Sequence, residues 1–107
     1  MNRTHMIVLE VARERDRQIK VEGYSTEHDD KYLNQQLPAA AASFIAHARG
    51  QHILAGSTWP WLPKFWKPKT ERDSLIKAAA LIVAEIERRD RAQDVSAELW
   101  PGKSPTV

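Results

Sequence analysis

The chain has no cysteine. No disulfide framework, thiolate zinc site or cysteine nucleophile can be built from it, and a reducing compartment fits that composition. It also lacks an excess of one charge: sixteen Lys and Arg against fourteen Asp and Glu leave a formal +2. Coating duplex DNA needs a clear basic surplus, so stable DNA binding is not expected. No apolar run reaches the length of a membrane span, and the N-terminus shows no charged-then-apolar leader pattern. The expectation is a cytoplasmic protein with no membrane partner. Gly-rich phosphate loops, a GxSxG elbow and a two-His metal helix are all missing. Serine is sparse, so any hydrolytic nucleophile would have to be metal-activated water. No repeat and no strand-like alternation appears. The 107 residues predict one domain with a real but modest core.

What is present reads as helix. Over residues 4–21, Ile7, Val11, Glu14 or Arg15, and Ile19 recur at three-to-four spacing. Glu10, Arg13, Glu14, Arg17 and Lys20 can form charged rungs on the other faces, and Gly23 suits the stop. A polar stretch follows, in which Ser25, Thr26, Asp29 and Asp30 are candidate caps. A second helix is predicted over residues 38–48, with Pro38 in its first turn and Leu37, Ala41, Phe44, Ile45 and Ala48 on its apolar face. Its alanine run would let another backbone come close. Residues 51–69 hold Gly56, Pro60, Pro63 and Pro68 and are expected to form a long ordered loop, packed by its own rings, rather than regular helix. The last helix starts at Thr70, which pairs with Asp73 as a capping box. Leu75, Ile76, Ala79, Ile82, Val83 and Ile86 give it a broad apolar stripe. Residues 78–84 are apolar on every side, more than a three-helix monomer can cover, so a homo-oligomer is expected. The whole reads as all-α: a compact bundle of about three main helices over residues 1–94, with an extended tail over 95–107 in which Trp100 could tack the chain down.

Chemistry is most concentrated in WPWLPKFWKPK, residues 59–69. One reading is a plug: Trp59, Trp61, Phe65 and Trp66 cap the core and prolines stiffen the loop. The other adds the lysines. Aromatic rings stack on bases at roughly 1–3 kcal/mol each, and nearby cations take phosphate. Trp59, Trp61 and Trp66 would then grip a base, with Lys67, Lys69, Arg72 and Lys77 on the phosphate and a helix N-terminus beside them. The acidic EHDD cluster reads as a helix start favoured by the dipole. It also offers His28, Asp29 and Asp30 to ribose hydroxyls or base edges. Glu87 and Asp90 share a helix face, crowded by Arg88, Arg89 and Arg91.

Taken together, ERDRQIKVEGY with HDD close behind, Leu37 and the alanines after it, WPW, WKP, and RDSLIKAAALIVAEIERRDR resemble a group of small helical proteins encoded by phages and prophages. The likeness covers residues 14–91. The last helix also looks distantly like that of MazG-like pyrophosphohydrolases, whose pattern is paired glutamates on one helix and Glu-x-x-Asp on another. Glu10 and Glu14 stand four apart here, and only Glu87 with Asp90 matches the second half. The phage-protein resemblance implies a sponge: a nucleotide-type ligand, derived from a host immune signal, sequestered in the bacterial cytoplasm without cleavage, catalytic residues, metal or cofactor. The MazG-like resemblance implies instead a Mg²⁺-dependent nucleoside triphosphate pyrophosphohydrolase. A third expectation is a protein–protein inhibitor of a host enzyme, with exposed tryptophans as hot spots.

Overall fold

A computed structural model describes residues 1–23, 25–31 and 35–99, without the side chains of residues 26 and 95–99. It is all-α. Helix α1 spans Arg3–Lys20, α2 Thr26–Asp30, α3 Gln36–Ala48, α4 His52–Thr58 and α5 Glu71–Leu99, with a 3-10 turn at Pro63–Phe65. Local chemistry sets the helix starts. Asn2 Oδ1 accepts from the His5 N–H at 2.9 Å, and Ser25 Oγ accepts from the His28 N–H at 3.2 Å. Thr70 Oγ1 accepts from the Asp73 N–H at 3.0 Å, as the capping-box pattern predicts. Gln35, before α3, sits in the left-handed region at φ 67, which is unfavourable without glycine. Its side-chain oxygen accepts from Arg89 of α5, which ties that turn down. Among the described residues no helix is long and apolar enough to cross a membrane.

The core lies between α3 and α5. Leu37, Ala40, Ala41 and Phe44 meet Ala78, Leu81 and Ala84, and the three tryptophans of residues 59–66 close over them. The alanines bring the two backbones close, as the alanine run suggested. A buried 2.7 Å contact between His47 Nδ1 and Ser74 Oγ pins the same pair of helices.

Four expectations are corrected. The core face of α5 is not the broad aliphatic stripe. An alanine-lined partner selects small residues, so Ala78, Ala80, Leu81 and Ala84 are buried, while Leu75, Ile82, Val83 and Ile86 stay exposed. Helix α1 buries Arg15 and Gln18, and leaves Ile7 and Ile19 each 38% exposed. It runs in the same sense as α5, with Glu10 on Arg72 and Arg15 on Glu87, so that Met6, Ile7, Val8 and Leu9 lie ahead of the first contact, uncovered. Residues 52–58 are helical despite Gly56, because Ala55 is fully buried and packing outweighs the glycine. Finally, α5 continues to Leu99, past the expected end at residue 94, and Trp100 lies outside the described residues.

Candidate functional site

The rings of the WPW–WKP segment pack first on one another and on the core. Trp59 stands edge-on to Phe44 at 5.7 Å between centroids and edge-on to Trp61 at 5.1 Å. Trp66 leans on Phe44 and on Trp59, each at 5.0 Å. These are favourable aromatic geometries, and all three indoles are half-buried. The Trp59 indole N–H donates to the Leu62 carbonyl at 3.2 Å, which folds the loop back on itself. Phe65 departs from the plug reading: it is 48% exposed and stands outside the core cluster.

The cations and acids of the predicted site are mostly engaged elsewhere in the fold. Arg72 makes a two-pronged pair with Glu10, both bonds at 2.7 Å, which holds the carboxyl below the usual carboxylate range. Lys77 is buried, 2.9 Å from Asp73 and 5.7 Å over the Phe44 ring. Asp29 is fully buried under Arg15 at 2.8 Å, with His28 Nδ1 at 3.0 Å from its other oxygen. Asp30 takes both Nε and Nη2 of Arg91. His28 comes within 6.5 Å of Trp61, so it joins the ring cluster while Asp29 and Asp30 face the arginines of α1 and α5. Lys67 and Lys69 are exposed.

One crevice gathers part of this set. It encloses about 40 Å³ between α1, the Trp loop and α5. Trp59, Lys67 and Lys77 line it, together with Phe44, Phe65 and Leu81 and, from the α1 side, Arg17, Gln18 and Glu22. Arg17 is held by Glu14 at 2.8 Å and Glu22 at 3.0 Å, and hydrogen bonding to Glu14 raises its already high pKa. Whole-nucleotide sites run to about 300 Å³ or more, so this space suits a phosphate-sized group with the rest of a ligand lying outside. No protein-family model, curated protein or solved structure matches the chain.

The geometry adds Arg17, Gln18, Glu22 and Phe65 to the candidate residues and leaves His28, Asp29, Asp30, Trp61, Trp66, Lys69 and Arg72 outside the crevice. A sequence signal for this side of the molecule does exist. No acidic residue occurs between Asp30 and Glu71, so Arg49, Lys64 and Lys67 have no carboxylate within three positions in sequence. The carboxylates of the Mg²⁺ reading are spread out. Glu10 lies on Arg72, Glu14 on Arg17 and Glu87 on Arg15, while Glu85, on the same helix as Glu87 and Asp90 but not part of that reading, lies between Arg88 and Arg89, whose hydrogen bonds lower its pKa. Among the described residues no group of three or more His, Asp or Glu is arranged to hold a metal ion.

Proposed function

We propose that this protein binds a nucleotide-type anion without cleaving it. Sequestration of a nucleotide-derived host signal, which the phage-protein resemblance implies, is the role we assign to that binding. The observation that carries the reading is the crevice, where three cations, Arg17, Lys67 and Lys77, meet the rings of Phe44, Trp59 and Phe65. Cations beside rings are the combination that takes phosphate and base together. Its small volume is consistent with a ligand completed by a second copy of the chain, and the exposed aliphatics of α5 support such a homo-oligomer.

The test is a thermal-shift screen against mono-, di-, cyclic and ADP-ribose-type nucleotides, with and without Mg²⁺, followed by mass spectrometry of the recovered ligand. A ligand at about a hundred times its Kd stabilises the folded state by roughly 2.7 kcal/mol. The expected result is a raised Tm with the ligand recovered intact, lost in Lys67→Glu, a change at an exposed side chain that leaves the fold in place. Cleavage that requires Mg²⁺ would replace this reading with the pyrophosphohydrolase.

The inhibitor reading has its own supporting observation, the four consecutive exposed aliphatics Met6, Ile7, Val8 and Leu9 on α1. Large exposed apolar patches mark interaction surfaces. If no nucleotide shifts the Tm and a host protein is retained by the wild type but not by Val8→Glu, the inhibitor reading takes over.

A further inference from the structure

Two groups in the crevice are in states that a ligand would improve. Arg17 is gripped from two sides of unequal strength. Glu14, one turn earlier on α1 and with its own side chain only 10% exposed, takes Nε and Nη2 of Arg17, both at 2.8 Å. Glu22 takes Nη1 through one bond at 3.0 Å. It lies beyond the end of α1, next to Gly23 at φ +76, and its side chain is 30% exposed. Glu22 is therefore the less constrained partner. The second group is Gln18, buried at 3% exposure. Its Nε2 donates to Glu14 at 3.1 Å, which fixes the amide orientation, since a carboxylate accepts only from the NH₂ end. Gln18 Oε1 is left buried without a hydrogen-bond partner, an unfavourable state for a carbonyl oxygen.

Building on the nucleotide-anion reading above, we infer that Glu22 occupies the phosphate position of this crevice in the free protein, that the ligand's phosphate displaces it from Arg17, and that Gln18 accepts from a hydroxyl or N–H adjacent to that phosphate. A phosphate brings more charge and more acceptor oxygens than one carboxylate oxygen. It can meet Arg17 and the exposed Lys67 together, a pairing that favours the planar guanidinium fork. The phosphate of a doubly ionised monoester has no O–H donor to offer Gln18 Oε1. The two groups together thus select a phosphorylated compound that carries a donor near its phosphate, as a ribose phosphate does. Glu22 then sets a threshold for binding: anions weaker than a phosphate do not dislodge it.

Isothermal titration of the full chain, at mildly alkaline pH, with methyl phosphate (a phosphate monoester without a donor), ribose 5-phosphate and unphosphorylated ribose tests this. Wild type should prefer ribose 5-phosphate to methyl phosphate and ignore ribose. Glu22→Gln, which removes the competing charge from an exposed linker, should tighten both phosphate-bearing probes about fivefold, the scale of an exposed ion pair. Gln18→Leu should remove the preference between them, with circular dichroism checking that the helices persist. If Glu22→Gln binds no tighter than wild type while wild type still binds nucleotides, the inference fails and the nucleotide reading stands. If neither protein binds any phosphate-bearing probe or nucleotide, both fail.

Discussion

Burying an arginine costs several kcal/mol unless its protons are met by well-placed acceptors. Arg15 meets that condition through Asp29, itself fully buried, and through Glu87, whose side chain is 48% exposed. The two acids are not equivalent. Without Arg15, Asp29 would be a buried charge stripped of its cation, whereas Glu87 could turn to water. Arg15→Met is therefore expected to destabilise the fold by about 3–5 kcal/mol, and Glu87→Gln by less than about 1 kcal/mol. Urea unfolding followed by circular dichroism measures both, and similar losses would contradict the argument. The same pair bears on how the sequence reads. Glu87 with Asp90 suggested half of a metal site and Asp29 a ribose acceptor, whereas each of these acids except Asp90 has an arginine on it in the fold. The partners sit fourteen and seventy-two positions away, beyond the reach of any local pattern.

At the scale of elements, helix propensity and packing disagree most openly in α4. Gly56 argues against helix, since glycine costs about 1 kcal/mol there relative to alanine. The helix forms because Ala55 is fully buried and its neighbouring turn lies on the Trp66 indole. The glycine itself has no structural requirement: its φ is not in the left-handed region, and an added Cβ would meet only Trp66 Nε1, at 4.0 Å. Gly56→Ala should stabilise by about 0.5–1 kcal/mol, read as a rise in Tm. Helix α1 shows the converse. Its three-to-four spacing of Ile7, Val11 and Ile19 correctly signals a helix, but not which side is covered. The cap at Thr70 was legible, and Ser25 stood among four candidates, because a cap is set by residues within one turn of each other.

At the scale of the whole molecule, the odd feature is where the large aliphatics lie. Leu75, Ile82 and Ile86 are exposed on α5 at seven- and four-residue spacing, on the side away from Ala78, Leu81 and Ala84. That spacing is the seam of a helix pair. A charge set into it should block association while sparing the core, so in light scattering the wild type is expected to run as an oligomer and Ile82→Glu as a monomer. An unchanged mass would place any assembly on another surface. The charge distribution acts at this scale too, with every acidic residue outside 31–70 and the exposed Lys64, Lys67 and Lys69 within it. The Lys and Arg side chains of that segment therefore face no carboxylate supplied by the segment itself.

The sequence by itself determined the all-α class, the cap at Thr70, a close approach of some backbone to the alanine run and a ring-packed segment before the last helix. Each follows from propensity, capping or periodicity within a few residues. Only the tertiary structure decided that Trp59 and Trp66 pack on Phe44, that Arg72, Lys77, Asp29 and Asp30 are held in ion pairs, and that Arg17, Gln18 and Glu22 join Trp59, Lys67 and Lys77 in one crevice. The physical reason is that a charged side chain's availability depends on whichever opposite charge the fold brings within about 3–4 Å of it, and that neighbour can come from anywhere along the chain.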